Sequence, residues 1–543
     1  MALCMTLMSA STPSVAQNNL LQADLCQKLH KRIDRVSVKP VAKPPYLRLF
    51  NEPTFATNVM RISNGTLGTV TKPGSNAAQA WNMNESRMLL HHYDSSGKHS
   101  VSLLDGLSYA ALGTLQLPAL AVQNVHWSQQ DANILFYVPD TAEDAGKLTQ
   151  LNIKTAERSV IKDFAPDCKK SGLSAQGGIL AAPSANDDLF GFRCGTRNNK
   201  SLAVSFQANS NKVSTLKIGK GSRWPIDYAP KPLPHNGYIL LGDKILDSKF
   251  KASGKRLDIA NIDAPYAIGA AADQQNQFFQ SAVKQSPRGC NNDIWNGVGL
   301  IVKHNIEGDS CSSLLTQTKG YPETPSGTSL AANAYQNPRW LAMTSVGYED
   351  FDWFRKKRPA PLLFSEVVLL DTSAAQPTVC RLAHNRTFGE QAANASYEPS
   401  LGKVSVSLSP TATRVLFSSD WYDSGSIDTY VVQLPAYTQI KLQGMWVDVN
   451  NTSITTEFNQ IGETVSFKRT TPHPQNGKKL LVTGDGEINS GQINLTYQYS
   501  IAVDRVTKGR CTGNQSADNS ETILTCRNDI NGFDATHTLV RPK

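Results

Sequence analysis

The stretch RLAHNRTFGEQAANASYEP carries the densest set of groups in the chain suited to acid–base or anion chemistry: Arg381, His384, Arg386, Tyr397 and Glu398. A histidine set beside arginines and a tyrosine fits a polyanion. The same set would serve β-elimination from a uronate, with a guanidinium neutralising the carboxylate and His384 or Tyr397, aided by Arg386, handling the proton and the leaving oxygen. Trp421, in the sequence SSDW, adds an aromatic face able to cover a sugar ring. The expected ligand contacts are therefore Arg381, His384, Arg386, Glu398 and Trp421, and the candidate catalytic groups are His384, Tyr397 and Arg386. A competing use of the same residues is structural. A hydrogen-bonded loop between repeats needs such polar groups too, and Asp420 capping a turn with Trp421 packed behind it explains SSDW equally.

Other chemistries find no support. His91, His92 and His126 could join His384 around a metal, but packing histidines are the commoner case, and no Cys/His spacing has zinc-site form. Neither a metal nor a cofactor is expected. There is no GxSxG elbow, P-loop, dinucleotide fingerprint, HExxH or EF-hand loop, so a prolyl-peptidase-like hydrolase is not expected. The net charge of +9 is spread over 54 basic and 45 acidic residues, with local basic runs only at LHKRIDR and FRKKRP. Without interleaved aromatic and basic residues, nucleic acid is excluded as a partner, while acidic partners are modestly favoured.

The elements that must hold these groups are read from a repeat. SLSPTATRVLFSSD, at residues 407–420, has the plan of an apolar strand end, a polar turn and an apolar strand. The plan recurs from Ala80, His126, Ala182, Pro232, Ala270 and Asn337, a long period that fits propeller blades with loop insertions. Further strands and turns after the first copies complete four strands per unit. A seven-bladed β-propeller over residues 45–436 follows, with an eighth blade left open by Pro45–Gln79. The N-terminal segment PYLRLFNEPTFATNVMRIS is expected to pair with the final blade and close the ring. Residues 437–543 alternate apolar and polar positions between Gly, Asn and Asp turns, the pattern of a small antiparallel β-barrel or β-sandwich. Amphipathic helix is expected nowhere beyond a turn or two near ADLCQKLHKRIDR.

The first 16 residues read as a signal peptide lacking its basic start, followed by an arm over residues 17–44. No apolar run is long enough to span a bilayer. Setting Cys4 aside with the leader leaves eight cysteines, an even set that suits disulfides in an exported chain. Locality pairs Cys168 with Cys194, Cys290 with Cys311 and Cys511 with Cys526, leaving Cys26 and Cys380 to tie the arm to the late part of the ring.

The motif SxSPxxxRVLFSSDW followed by DTYVV, together with NEPTFATNVMRIS, resembles exported bacterial propellers of the WD40-like or Tol-associated type. That resemblance implies the fold over residues 45–436 and no activity, and the Asp-Gly turn of that class is replaced here by Asn84-Glu85, Asp131-Ala132 and Thr411-Ala412. The C-terminal segment resembles small accessory β modules of exported proteins. Together the expectation is a periplasmic or extracellular monomer that binds a polysaccharide or envelope protein at one mouth of the central channel. The alternative is a polysaccharide lyase acting on acidic glycans.

Overall fold

The computed structural model describes residues 24–542 except 28, 33, 75–77, 119–123, 220–227, 258–264, 282–300, 316–327, 347–362, 374–377, 388–403, 436, 438–441, 462–463, 473–476, 490–491, 503–504, 516–520, 531 and 533. It has two compact units, Leu25–Pro435 and a second that includes Ala436–Lys543. The first is a ring of seven antiparallel sheets. Blade 1 runs from the strand Val70–Lys72 to Ala111–Thr114, blade 2 from Val125–Trp127 to Arg158–Asp163, and blade 3 from Ile179–Leu180 to Lys212–Ile218. Blade 4 runs from Lys231–Pro232 to Ala252–Arg256, blade 5 from Tyr266–Ala270 to Ser310–Leu315, and blade 6 from Ser329–Ala331 to Val379–His384.

Blades wedge face to face, so middle strands must be apolar on both sides. In blade 7 every residue of Arg414–Ser419 and Asp428–Gln433 is buried. The apolar clusters sit between successive blades: Leu89 and Val101 meet Val125, Trp127 and Leu135, while Phe136 meets Phe190 and Phe206. Each such side chain contributes about 1.5–3 kcal/mol by leaving water.

Blade 7 is assembled from both ends of the ring sequence. Its strands Val406–Leu408, Arg414–Ser419 and Asp428–Gln433 are extended by Asn58–Arg61 and then by Leu49–Asn51. Asn58 pairs with Gln433 and Val59 with Val432. The expected N-terminal closure is thus present, and it rules out the eighth blade. The stretch considered for it is divided between the outer strands of blade 7 and the first strand of blade 1.

The turns that replace Asp-Gly stitch the ring. The first hairpin of one blade bonds the same hairpin of the next: Asn82 Nδ2 to Ala132 O at 2.8 Å, Ser128 Oγ to Asp187 Oδ2 at 2.5 Å, and His235 N to Asn276 Oδ1 at 2.9 Å. Between blades 6 and 7, Gln336 N reaches Pro410 O at 2.9 Å, and Thr411 N then reaches Glu85 Oε1 of blade 1 at 2.8 Å.

Disulfides join Cys168 to Cys194, Cys26 to Cys380 and Cys511 to Cys526. Cys311 is also disulfide-bonded, and Cys290 lies outside the described residues, as does the leader. A helix, Ala165–Lys170, was not anticipated: it is less than two turns long, too short to show a period, and has a proline in its first turn and a buried Cys168.

The second unit contains a closed barrel of eight antiparallel strands, from Gly444–Asp448 to Asp534–Val540, sealed by Val447 pairing with Val540. The sandwich alternative is thereby set aside. Alternate residues point inward, and Trp446, Phe458, Phe467, Leu495 and Leu539 form its core. Among the described residues no helix is long and apolar enough to cross a membrane.

Candidate functional site

Arg381 and His384 lie on the last strand of blade 6, and Arg386 follows it. Opposite them is the hairpin between Leu49–Asn51 and Asn58–Arg61, whose turn begins at Glu52. Glu52 accepts from Thr54 N and Phe55 N at 2.7 Å each and from Arg386 Nη2 at 2.7 Å. Glu366, which starts the neighbouring strand, forms an ion pair with Arg381 and accepts from Arg381 Nε at 3.2 Å. His384 stands between the two carboxylates, its Nδ1 3.5 Å from Glu52 and its Nε2 3.7 Å from Glu366. Phe55 stacks on His384 at 5.0 Å, and Arg386 lies 4.9 Å over the Trp421 ring.

These expected residues are brought together, but as a buried ion network between the outer strands of blades 6 and 7. Arg381 and His384 are 0% exposed, Arg386 1% and Trp421 3%, so none offers a solvent-facing group for a ligand. The physical reason is charge balance: two glutamates match two arginines across a junction that would otherwise bury unpaired cations. Burial pushes the Glu52 carboxyl up, but His384 and the Arg386 guanidinium beside it pull it down further, to about 2. Tyr397 and Glu398 lie outside the described residues. Sequence reasoning missed Glu52, although it sits in the quoted NEPTF, and Glu366.

The leading arm overlies the same junction. Arg381 N bonds His30 O at 2.9 Å, and the Arg381 guanidinium reaches Asp34 O at 2.6 Å. Trp421 Nε1 bonds Val41 O at 3.0 Å, and Lys43 Nζ lies 2.6 Å from the buried Asp428. Leu363, Ser365, Arg386, Trp421, Tyr422 and Asp423 all have positive φ, a concentration of left-handed backbone held in place by this packing.

The histidines do not converge on His384. His91 and His92 are on blade 1 and His126 is on blade 2. His91 Nδ1 is 2.9 Å from His99 Nε2, His92 bonds Thr71 Oγ1 at 2.8 Å, and His126 bonds Leu180 O at 3.1 Å. Burial first, then the neighbouring His99 and Lys72, hold His91 well below the usual histidine range, so it is neutral. Among the described residues no group of three or more His, Cys, Asp or Glu is arranged to hold a metal.

A different set of groups remains accessible where the innermost strands of blades 4 and 5 begin. Lys231 opens Lys231–Pro232 and Tyr266 opens Tyr266–Ala270, with Tyr228 just ahead. The three are half-buried around a recess completed by Phe278, Leu240 and Gly242. Lys231 Nζ lies 4.4 Å from the Tyr266 ring centre and 5.8 Å from that of Tyr228, and it also hydrogen-bonds the Tyr266 hydroxyl. Tyr266 stacks on the buried Phe278 at 5.2 Å, which fixes its ring. Gly242, at φ +62°, makes the tight turn from Leu241 to Lys244 and lines the recess. The signal available in the sequence was YAPKP: an aromatic and a lysine on proline-stiffened backbone.

No family model matches the chain, and no curated protein matches it. Solved structures similar to it include an oligogalacturonate lyase in complex with manganese, at TM-score 0.49 and 12% identity, covering 74% of this chain and 98% of that one. TolB from Acinetobacter baumannii aligns at TM-score 0.24 and 9% identity over 88% and 80% of the two chains, and a prolyl endopeptidase at 0.26 and 9% over 77% and 50%.

Proposed function

We infer that this is an exported binding scaffold of the periplasm or cell exterior, whose ring takes a carbohydrate or an envelope partner at one mouth of its channel. The observation that carries the inference is Lys231 held between the half-exposed Tyr228 and Tyr266 at the start of two innermost strands. Tyrosine faces accept the C–H side of a sugar ring, and a lysine among them selects for a carboxylate. The net charge of +9 favours the approach of such a ligand, and the disulfides suit an oxidising compartment. Of the groups first expected to bind, Arg381 and Arg386 are already paired with Glu366 and Glu52.

The test is titration of the full chain with alginate, pectate and ulvan oligosaccharides. Binding is expected to weaken about tenfold in Lys231→Met and by a similar factor in Tyr266→Ala, with Tm unchanged. Absence of binding across the panel, or binding indifferent to both changes, would overturn the assignment. Appearance of unsaturated uronate product would replace it with the lyase alternative.

A further inference from the structure

The barrel interior is apolar over most of its length but not at the end where Asp448 finishes its strand. Asp448, Arg469 and His537 face inward there, next in register to the buried Trp446, Thr456 and Leu539. His537 Nδ1 lies 2.9 Å from Asp448 Oδ2 and 2.7 Å from Arg469 Nη2, and Arg469 stands 3.3 Å from Asp448. One histidine nitrogen thus serves either the carboxylate or the guanidinium at a time. Burial, then Arg469, hold His537 below the usual histidine range, so the three carry no net charge at neutral pH.

From another part of the wall, Tyr497 and Tyr499 follow the buried Leu495 on the same inward face. Their rings are 6.2 Å apart and within 12° of parallel. Tyr497 pairs with glycine on both sides, Gly484 and Gly509, and a methyl group at Gly509 would come within 2.3 Å of its ring. The bare backbone at Gly509 lets the ring lie along the wall. Asn528 Nδ2 steadies the Tyr499 hydroxyl at 3.3 Å, and Tyr497 is close enough to Arg469 to feel its charge. Both tyrosines and His537 are half-exposed, so solvent reaches this end.

We propose that this end of the barrel is a second ligand site, separate from the propeller recess, and that it takes a neutral pyranose ring. Arg469, 8% exposed, and the half-exposed His537 offer polar contacts to a sugar hydroxyl at the rim, held in place by the buried Asp448, whose other oxygen accepts from Asn450 N at 3.0 Å. A parallel pair of tyrosines supplies the flat apolar face that a sugar ring's C–H side requires. With its charges balanced the site has no preference for an anion, which distinguishes it from Lys231.

The experiment is ligand-observed NMR on the full chain with glucose, galactose, mannose, N-acetylglucosamine and galacturonate. At least one neutral sugar is expected to bind with Kd in the ~1–10 mM range, about tenfold weaker in Tyr499→Ala and in Arg469→Lys, and unchanged in Lys231→Met. Should Arg469→Lys lose its fold, Tyr499→Ala, at a half-exposed position, decides. No neutral sugar binding, binding indifferent to Tyr499→Ala, or binding abolished by Lys231→Met would each overturn the proposal. The last outcome would leave the propeller assignment standing.

Discussion

Glu52 has no solvent contact, and its charge survives burial because His384 and Arg386 face it and Thr54 N and Phe55 N donate to it. A carboxyl drawn from 4.5 to about 2 supplies stability that is fully present above about pH 4.5 and drains away as pH falls toward 2, on the order of 3 kcal/mol in all. Glu52→Gln is therefore expected to cost about that much at pH 7, with the gap to wild type closing between pH 4.5 and 2 in urea denaturation. A gap independent of pH would mean the charge is not what matters. At this scale the sequence was legible in part. The clustering of Arg381, His384 and Arg386 was visible, but whether such a cluster is open or sealed depends on carboxylates more than three hundred residues away at Glu52 and 15 residues away at Glu366, which only the fold brings into range. Lys231, Tyr228 and Tyr266 were missed for the complementary reason: their proximity is created by two strands from different blades.

At the level of the blade, the repeat motif has a mechanical meaning. Arg414, the arginine of SPTATR, reaches out of blade 7 to Glu85 of blade 1 at 2.6 Å, with its guanidinium 4.9 Å over Trp81 and within 3.1 Å of the Tyr109 hydroxyl. Blade 7 is thus tied on one flank by Arg414 and Glu85 and on the other by the network around His384. Burial pushes the Glu85 carboxyl up, and Arg414 and Thr411 bring it below the ordinary value. Arg414→Met is expected to destabilise the ring by about 3–5 kcal/mol, because it strands a buried carboxylate, and the double change with Glu85→Met to recover most of that loss. Additive losses in denaturant melts would show the pair to be uncoupled. Period and strand pattern made the seven blades and the N-terminal closure readable, since a strand buried on both faces must repeat its apolar plan. The short helix at Ala165 and the choice of barrel over sandwich were not, because the first is less than two turns long, too short for its period to recur, and the second depends on whether the strand Gly444–Asp448 meets Asp534–Val540.

Across the whole propeller, the Cys26–Cys380 bond spans 354 residues and fastens the arm to blade 6. Replacing both cysteines by serine is expected to lower stability by roughly 2–4 kcal/mol, read as an earlier unfolding midpoint that matches wild type under reducing conditions. An unchanged midpoint would show that the buried ion pairs alone hold the arm. A last consequence comes from the makeup of blade 7. The segment Asn58–Arg61 leaves the ribosome long before Asp428–Gln433, its only inner partner in the sheet, has been made. Throughout synthesis of the intervening blades that edge stays unsatisfied, and the nascent ring stays open. Native structure is therefore completed only after nearly the entire propeller sequence has been released, a schedule that keeps the polypeptide threadable until late and leaves its early strands in need of shielding meanwhile.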